Sequence, residues 1–365
     1  MKYFVLAGEA SGDKQAALLC EAIYKNDPGA NILGWGGEAM EGHGVKVTRH
    51  YRELAYMGFV EVVKHLPAIL RNFKKCKEEI LEFKPDALVL IDYPGFNLRM
   101  AVWGHKNKIP VYYYISPQLW AWHTSRVKQI IKAVRRMYVI LPFEKKFYQQ
   151  YGVEVMYIGH PLAVEIKREG NFIYTPIKGR IALLPGSRKH EVERILPEMI
   201  SLARRMPDHT FCIAAVPHLS ISLYEQWLSG LSNVEIITGD MKKVLGQSEA
   251  AIVTSGTATL ETALLGVPQI VVYKGSPLSY QIAKRLIKVP YISLVNLIMD
   301  KQVVPELIQA DCNAANMHEQ LLCILNPSGY ELIRSEYKKL GEMLTAGGGA
   351  ASAALDIISD LGRTN

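Results

Sequence analysis

Asp92 follows an unbroken apolar run, Ala87-Leu88-Val89-Leu90-Ile91, and precedes Tyr93-Pro94-Gly95-Phe96-Asn97. A carboxylate at the carboxyl end of a buried strand faces a cleft. Partial burial there disfavours its charge and makes it a better proton acceptor, so Asp92 is a candidate general base. The plainer reading is a turn or N-cap Asp before Pro94, with Asn97 a turn residue. Leu184-Pro185-Gly186-Ser187-Arg188 is the second chemical segment. Amides around Gly186 and Ser187, a helix start and the Arg188 guanidinium together suit a diphosphate, against the alternative of a plain turn with an exposed arginine. Thr254-Ser255-Gly256-Thr257-Ala258-Thr259-Leu260-Glu261 gathers hydroxyls and glycine at another helix start, and Glu261 is placed to grip ribose hydroxyls or to stand exposed on the helix.

Three further segments are weaker alone. Gly8-Glu9-Ala10-Ser11-Gly12-Asp13 offers small residues and a helix start after the first strand, or simply a tight turn capped by Ser11 or Asp13. Ser116-Pro117-Gln118-Leu119-Trp120-Ala121-Trp122-His123 either lines a sugar-binding wall or packs under its own loop. Asn296, Glu306 and Gln309 reach a cleft or only cap helices. No H-E-x-x-H, zinc-spaced His/Cys pair or diphosphate-positioned D-x-D is present, so no metal is expected, and no cofactor either. The G-x-G-x-x-G fingerprint, the Walker loop and G-x-S-x-G are absent, which argues against nicotinamide, P-loop and serine-hydrolase chemistry.

These segments need strands and helices to hold them. Short apolar runs at Lys2–Ala7, 30–34, Ala87–Ile91, 111–115, 137–141 and 155–158 alternate with amphipathic stretches. So do 180–184, Thr210–Ala215, 234–237, 250–254 and Gln269–Tyr273. Strand–helix alternation predicts parallel sheets covered on both faces, and two series predict two doubly wound α/β domains. The expected division is 1–165, completed by a last helix within 347–365, and 166–346. The hinge Gly347-Gly348-Gly349 leaves open whether that helix closes on its own first domain or on a partner's in a homodimer.

The 365 residues are 49% hydrophobic and 21% charged, a large-core globular make-up rather than a disordered one. Five scattered cysteines without C-x-x-C fit a reducing cytosol. The net charge of +7 is uneven: residues 1–165 hold 22 Lys+Arg against 16 Asp+Glu, a balance of +6, leaving +1 for the rest. A basic amphipathic stretch accounts for part of it. Met57, Phe59, Val62, Leu66, Ile69, Leu70 and Phe73 form an apolar stripe, with Arg71, Lys74 and Lys75 beside it. Such a stripe suits an anionic bilayer surface or an ordinary core helix with a basic outer face. No nucleic-acid partner is expected, because neither interleaved aromatics nor a known module is present.

Taken in order, these segments resemble one family along nearly the whole chain. They are Gly8–Asp13, Met57-Gly58 with Glu61-Val62, Ile91-Asp92-Tyr93-Pro94 with Phe96-Asn97, Ser116-Pro117-Gln118 with Trp120-Ala121-Trp122, and Pro142-Phe143-Glu144. Gly159-His160-Pro161-Leu162, Leu184–Arg188 and Ser255–Glu261 complete the set. The resemblance is to the lipid-A-disaccharide synthases. It departs at Val295, where the family usually has Pro, and at His123, where it usually has Arg.

That resemblance implies an inverting, metal-independent GT-B glycosyltransferase with two Rossmann-like domains facing a cleft. It implies transfer from UDP-2,3-diacylglucosamine to 2,3-diacylglucosamine 1-phosphate through a β-1,6 linkage, in lipid A biosynthesis. The place of work would be the cytoplasmic face of the Gram-negative inner membrane, with anionic lipid as a partner. It carries importance for activity onto Asp92 and Arg188. Nucleotide contacts would then fall on Gly186, Ser187, Arg188, Ser255, Gly256, Thr257, Glu261, Asn296 and Glu306. Acceptor contacts would fall on Gly8, Glu9, Ser11, Gly12, Asp13, Asn97, Ser116, Gln118 and Trp120. The rival readings are a UDP-N-acetylglucosamine 2-epimerase or peptidoglycan transferase of the same fold, and a catalytically silent peripheral membrane protein.

Overall fold

The computed structural model describes residues 1–54, 66–122, 127–170, 172–276, 280 and 290–362. The chain divides into two compact units, Met1–Pro161 with Leu344–Asn365, and Leu162–Met343.

The first unit holds a seven-stranded parallel sheet: β1 (Lys2–Ala7), β2 (Asn31–Gly36), β3 (Lys46–His50), β4 (Ala87–Ile91), β5 (Val111–Tyr114), β6 (Arg136–Val139) and β7 (Met156–Tyr157), in the order β3-β2-β1-β4-β5-β6-β7. Because strand side chains alternate, each inner strand feeds two cores. Phe4, Leu6, Leu88, Leu90, Val111, Tyr113 and Val139 face one side, under Phe73, Cys76 and Ile80 of the helix Leu66–Phe83 and Phe96 of the helix Pro94–Lys106. Tyr3, Val5, Ala87, Val89, Tyr112 and Tyr138 face the other. There they are covered by Leu19, Cys20 and Ile23 of the helix Ala10–Asn26 and by Ala353, Ala354, Ile357 and Leu361 of the helix Gly349–Gly362. The last helix thus closes on its own first unit. It is fixed there by Tyr112 donating to Asp360 at 2.7 Å, Tyr138 donating to Asp356 at 2.8 Å, and an ion pair from Arg135 to Asp360 at 2.5 Å.

The second unit holds a six-stranded parallel sheet: β8 (Ile177–Leu184), β9 (Thr210–Ala215), β10 (Val234–Thr238), β11 (Ser248–Thr254), β12 (Gln269–Tyr273) and β13 (Glu306–Ile308), in the order β10-β9-β8-β11-β12-β13. Two of the strands, β3 and β13, were not among the expected ones. Both lie at sheet edges, where one side of the strand is not paired and the apolar signal is weak. The amphipathic stretch between β9 and β10 is helical only over the single turn Ser222–Glu225.

Each sheet reverses its strand order once, between β1 and β4 and between β8 and β11. In open parallel sheets a ligand crevice forms outside the carboxyl ends of the strands at that reversal. The loops there are Gly8-Glu9 and Asp92-Tyr93 in the first unit, and Gly186–Arg188 and Ser255-Gly256 in the second.

Candidate active site

In the first unit Asp92 lines a cavity of about 480 Å³ at the carboxyl ends of β4, β5 and β6, with Pro94, Ile115, Ser116, Pro117, Gln118, Leu119, Ile140, Leu141 and Glu144. Asp92 and Tyr93 both hold left-handed backbone, φ 42° and 49°, and Ile115 across the cavity holds φ 65°. Such residues cost about 1–3 kcal/mol each and need surrounding contacts to persist. At Asp92 the contacts are visible. Its carbonyl accepts Tyr113 Oη at 2.7 Å and Asn97 Nδ2 at 2.9 Å, and its N–H donates to the Tyr114 carbonyl at 3.0 Å. Gly8 closes the turn from the other side: a Cβ there would lie 2.2 Å from the Tyr93 ring, so no larger residue fits. Burial, then the nearby Glu9 carboxylate, push the Asp92 carboxyl up to about 6, against a smaller opposing effect of the Tyr93 backbone. A carboxylate so tuned accepts protons near neutral pH.

Glu144 is a feature the sequence reading passed over except as part of a motif. It sits in the first turn of the helix Pro142–Gln149, is 1% exposed, and lines the same cavity. Its carboxylate accepts Ser116 Oγ at 3.0 Å, Trp120 Nε1 at 3.2 Å, Leu141 N at 3.0 Å and Ile140 N at 3.2 Å. Burial outweighs these donors and pushes it up to about 7. Nothing in a lone helix Glu announces this; the signal would be the Pro at the helix start with Glu two residues on.

Several expected acceptor contacts have other work. Asp13 is 3% exposed, and its carboxylate accepts the N–H groups of Gly37, Ala39 and Met40 at 2.7, 3.0 and 3.2 Å. It anchors the helix after β2 and is not free for a ligand. Asn97 is fully buried, and its amide ties the carbonyls of Leu6, Ile91 and Asp92 at the ends of β1 and β4. Trp120 packs edge-on to Phe143, with ring centroids 4.9 Å apart, and donates to Glu144, contacts that fasten its loop. Ser116 does the same through its hydroxyl while still lining the cavity. Ser11 and Gly12 lie inside the helix Ala10–Asn26 rather than in a loop, and Ser11 Oγ donates to Glu9 at 2.6 Å. Glu9, half-buried beside Asp92, and Gln118, exposed in the cavity wall, keep their side chains at the site.

In the second unit a cavity of about 490 Å³ joins the two expected loops: Gly186, Ser187 and Arg188 on one side, Thr254, Ser255, Gly256, Thr257 and Glu261 on the other. Gly256 is the N-cap of the helix Thr257–Leu264 and carries no side-chain cap, which leaves an amide-rich helix start toward the cavity. Thr254 Oγ1 is buried in that lining with no hydrogen-bond partner among the described residues. Such an atom is costly to leave unmatched and fits a polar ligand. Burial raises the Glu261 carboxyl above its ordinary range, with Lys242 opposing.

Asn296 and Glu306 do not line this cavity. Asn296 is fully buried, donates to the Glu306 carboxylate at 2.8 Å and to Val304 O at 2.9 Å, and accepts from Val303 and Val304 N–H. Glu306 accepts Ile292 and Ser293 N–H at 2.9 and 3.0 Å. Their polar atoms are used in bracing the 292–306 segment, to which Ser255 Oγ also donates through Ile292 O at 3.0 Å. Val295, where a proline was the norm of the resembled family, sits buried near the start of the helix Leu294–Met299 behind its N-cap Ser293, a place compatible with either residue.

Of the expected lipid-facing stripe, Met57, Phe59 and Val62 lie outside the described residues, as does His123. Leu66 begins the helix Leu66–Phe83. Phe73 turns inward and stacks on Phe96 at 4.1 Å between centroids, and Ile69 packs against the same core, so that part of the stripe is core. Leu70 stands 58% exposed, with Arg71, Lys74 and Lys75 exposed beside it. Among the described residues no helix is long and apolar enough to cross a membrane, and no group of three or more His, Cys, Asp or Glu is arranged to hold a metal ion.

Residues 3–343 match the family model described as lipid-A-disaccharide synthetase. A lipid-A-disaccharide synthase of Syntrophus aciditrophicus is 40% identical, over 96% of this chain and 95% of its own length. That of Geobacter sulfurreducens is 37% identical, over 99% and 98%. Among solved structures, the glycosyltransferase of kitacinnamycin aligns with a TM-score of 0.67 at 14% identity, over 99% of this chain and 98% of its own. A UDP-GlcNAc 2-epimerase of Neisseria meningitidis bound to UDP-GlcNAc aligns with a TM-score of 0.61 at 14% identity, over all of both chains. At that identity the two structures speak to the fold alone.

Proposed function

The chain belongs to the lipid-A-disaccharide synthase family, and from that premise we propose how its own residues carry the reaction. The enzyme is a glycosyltransferase that joins UDP-2,3-diacylglucosamine to 2,3-diacylglucosamine 1-phosphate through a β-1,6 linkage and releases UDP. Asp92, ionised, takes the proton of the acceptor 6-hydroxyl. The oxygen attacks the anomeric carbon opposite the UDP group, and the anomer inverts in one displacement. Arg188 and the helix start at Ser255, Gly256 and Thr257 meet the negative charge that grows on the leaving diphosphate, an effect commonly worth a few kcal/mol per donor. Thr254 adds a hydroxyl and Glu261 takes the ribose. Glu9 and Gln118 hold the acceptor beside Asp92. Leu70 with Arg71, Lys74 and Lys75 docks the chain on anionic lipid at the cytoplasmic face of the inner membrane. A homodimer remains a separate proposal, tested by sedimentation.

The observation that carries the reading is Asp92 itself: a carboxyl held at a strand end in a cavity, tuned to about 6. The test is UDP release from donor alone, acceptor alone and both, with EDTA present. Release with the pair alone is expected. Equal release from the donor alone would contradict transfer to an acceptor, and turnover of a water-soluble UDP-sugar without any acyl acceptor would return the epimerase reading.

A further inference from the structure

We propose that Glu191 is an internal stand-in for the leaving diphosphate, occupying its donors between turnovers and competing with UDP for them. The inference rests on the second-unit cavity being the UDP site. Glu191 lies in the first turn of the helix Lys189–Arg205 and lines that cavity. One carboxylate oxygen accepts Ser187 N–H at 3.0 Å and Arg188 N–H at 3.2 Å, and the other accepts Arg188 Nη1 at 3.2 Å. These are the donors the loop offers a phosphate: two backbone amides and a guanidinium.

The contact is built in rather than incidental. Gly186, at φ 116°, backs onto Glu191, and a Cβ there would lie 2.5 Å from the carboxylate oxygen. The Ser187 carbonyl is held by His218 Nε2 at 2.9 Å, a second contact that fixes the loop whose N–H groups meet Glu191. Yet the Arg188 side chain is 71% exposed, and its pairing with Glu191 is cheap to exchange.

A capping glutamate satisfies an orphan amide and no more. This one also takes Ser187 N–H and the Arg188 guanidinium, so an arriving diphosphate must displace a carboxylate or share donors with it. The same carboxylate recovers the donors as UDP leaves. It pre-shapes the loop for an anion and favours product release.

The test compares UDP and uridine binding by calorimetry in the wild type, Glu191→Gln and Glu191→Ala, with unfolding temperatures measured alongside. Removing the charge while keeping a capping carbonyl should tighten UDP in Glu191→Gln by roughly three- to tenfold, with uridine unchanged. In steady state, UDP product inhibition should strengthen by the same factor, lowering kcat more than KM. UDP affinity unchanged or weakened in Glu191→Gln, with uridine still bound, would overturn the inference and leave a plain cap. Should both variants fail to fold, the wild type decides: UDP must shift the backbone amide resonances of Ser187 and Arg188, and unmoved resonances in the UDP-saturated protein would overturn it. A wild type that binds neither UDP nor uridine would instead refute the functional reading on which the inference stands.

Discussion

Asp92 is asked to do two opposed things: stay a carboxylate strong enough to accept a proton, and sit where water is scarce. Its position at about 6 is the compromise, and it sets a sign. The ionised form is the base, so kcat/KM should be level above about pH 6 and fall tenfold per unit below it. A profile without that limb would remove Asp92 from the role. Asp92→Asn should lose about 10²- to 10⁴-fold in kcat while still binding UDP, measured by turnover and calorimetry on one preparation. Glu144 makes a different pH statement. Its carboxyl is raised in the folded chain, to about 7, so the folded state binds the extra proton more tightly than the unfolded one. Its contribution to stability is therefore present below the ordinary carboxylate range and lost as pH rises toward 7. Unfolding temperature followed from pH 4 to 8 should fall more in the wild type than in Glu144→Gln; parallel curves would contradict the assignment.

At the scale of elements, the site depends on side chains that never reach a ligand. Asn97 ties the ends of β1 and β4 under Asp92. Asn97→Ala should cost about 1–3 kcal/mol in denaturant unfolding and lower turnover together with it, because three carbonyls lose one donor. On the helix Leu66–Phe83, Leu70→Asp should weaken binding to anionic vesicles by at least about tenfold with UDP affinity unchanged, since burying one leucine is worth roughly 1.5–3 kcal/mol. Equal vesicle binding would return this helix to a purely structural role. The inner strands and the loops that follow them were legible because a buried parallel strand is an apolar run and its loop carries glycine and hydroxyls. The protein partners of Asp13, Asn97, Trp120, Asn296 and Glu306 were not legible, for one reason. A polar residue in a ligand-side loop looks the same in sequence whether it meets the ligand or the backbone of its neighbour, and only three-dimensional donors such as Gly37 N–H or Val304 N–H decide. Glu144 and Glu191 stayed hidden for the converse reason: each is an ordinary helix-start glutamate, and only the fold shows that Glu144 meets the distant Ser116 and Trp120 while Glu191 takes the donors of its own preceding loop.

At the scale of the whole molecule, the first unit is discontinuous and the second is an insertion in it. The seam is stitched twice within the first unit, by His160 N–H donating to Leu344 O and Gly349 N–H donating to Ile158 O, each at 2.8 Å. Removing residues 349–365 should strip Ala353, Ala354, Ile357 and Leu361 from one core face and leave a chain that binds hydrophobic dyes and precipitates; a soluble, cooperatively unfolding truncation would contradict the packing. This arrangement also has a consequence in time. On the ribosome, all seven strands of the first sheet emerge before the chain enters Leu162–Met343, but the helix Gly349–Gly362 that roofs them emerges last. At ordinary synthesis rates the aromatic and aliphatic face of Tyr3, Val5, Val89, Tyr112 and Tyr138 waits roughly ten to forty seconds for its cover. The second unit, continuous in sequence, can finish folding while the first is still open, so the half of the protein made first is the half completed last.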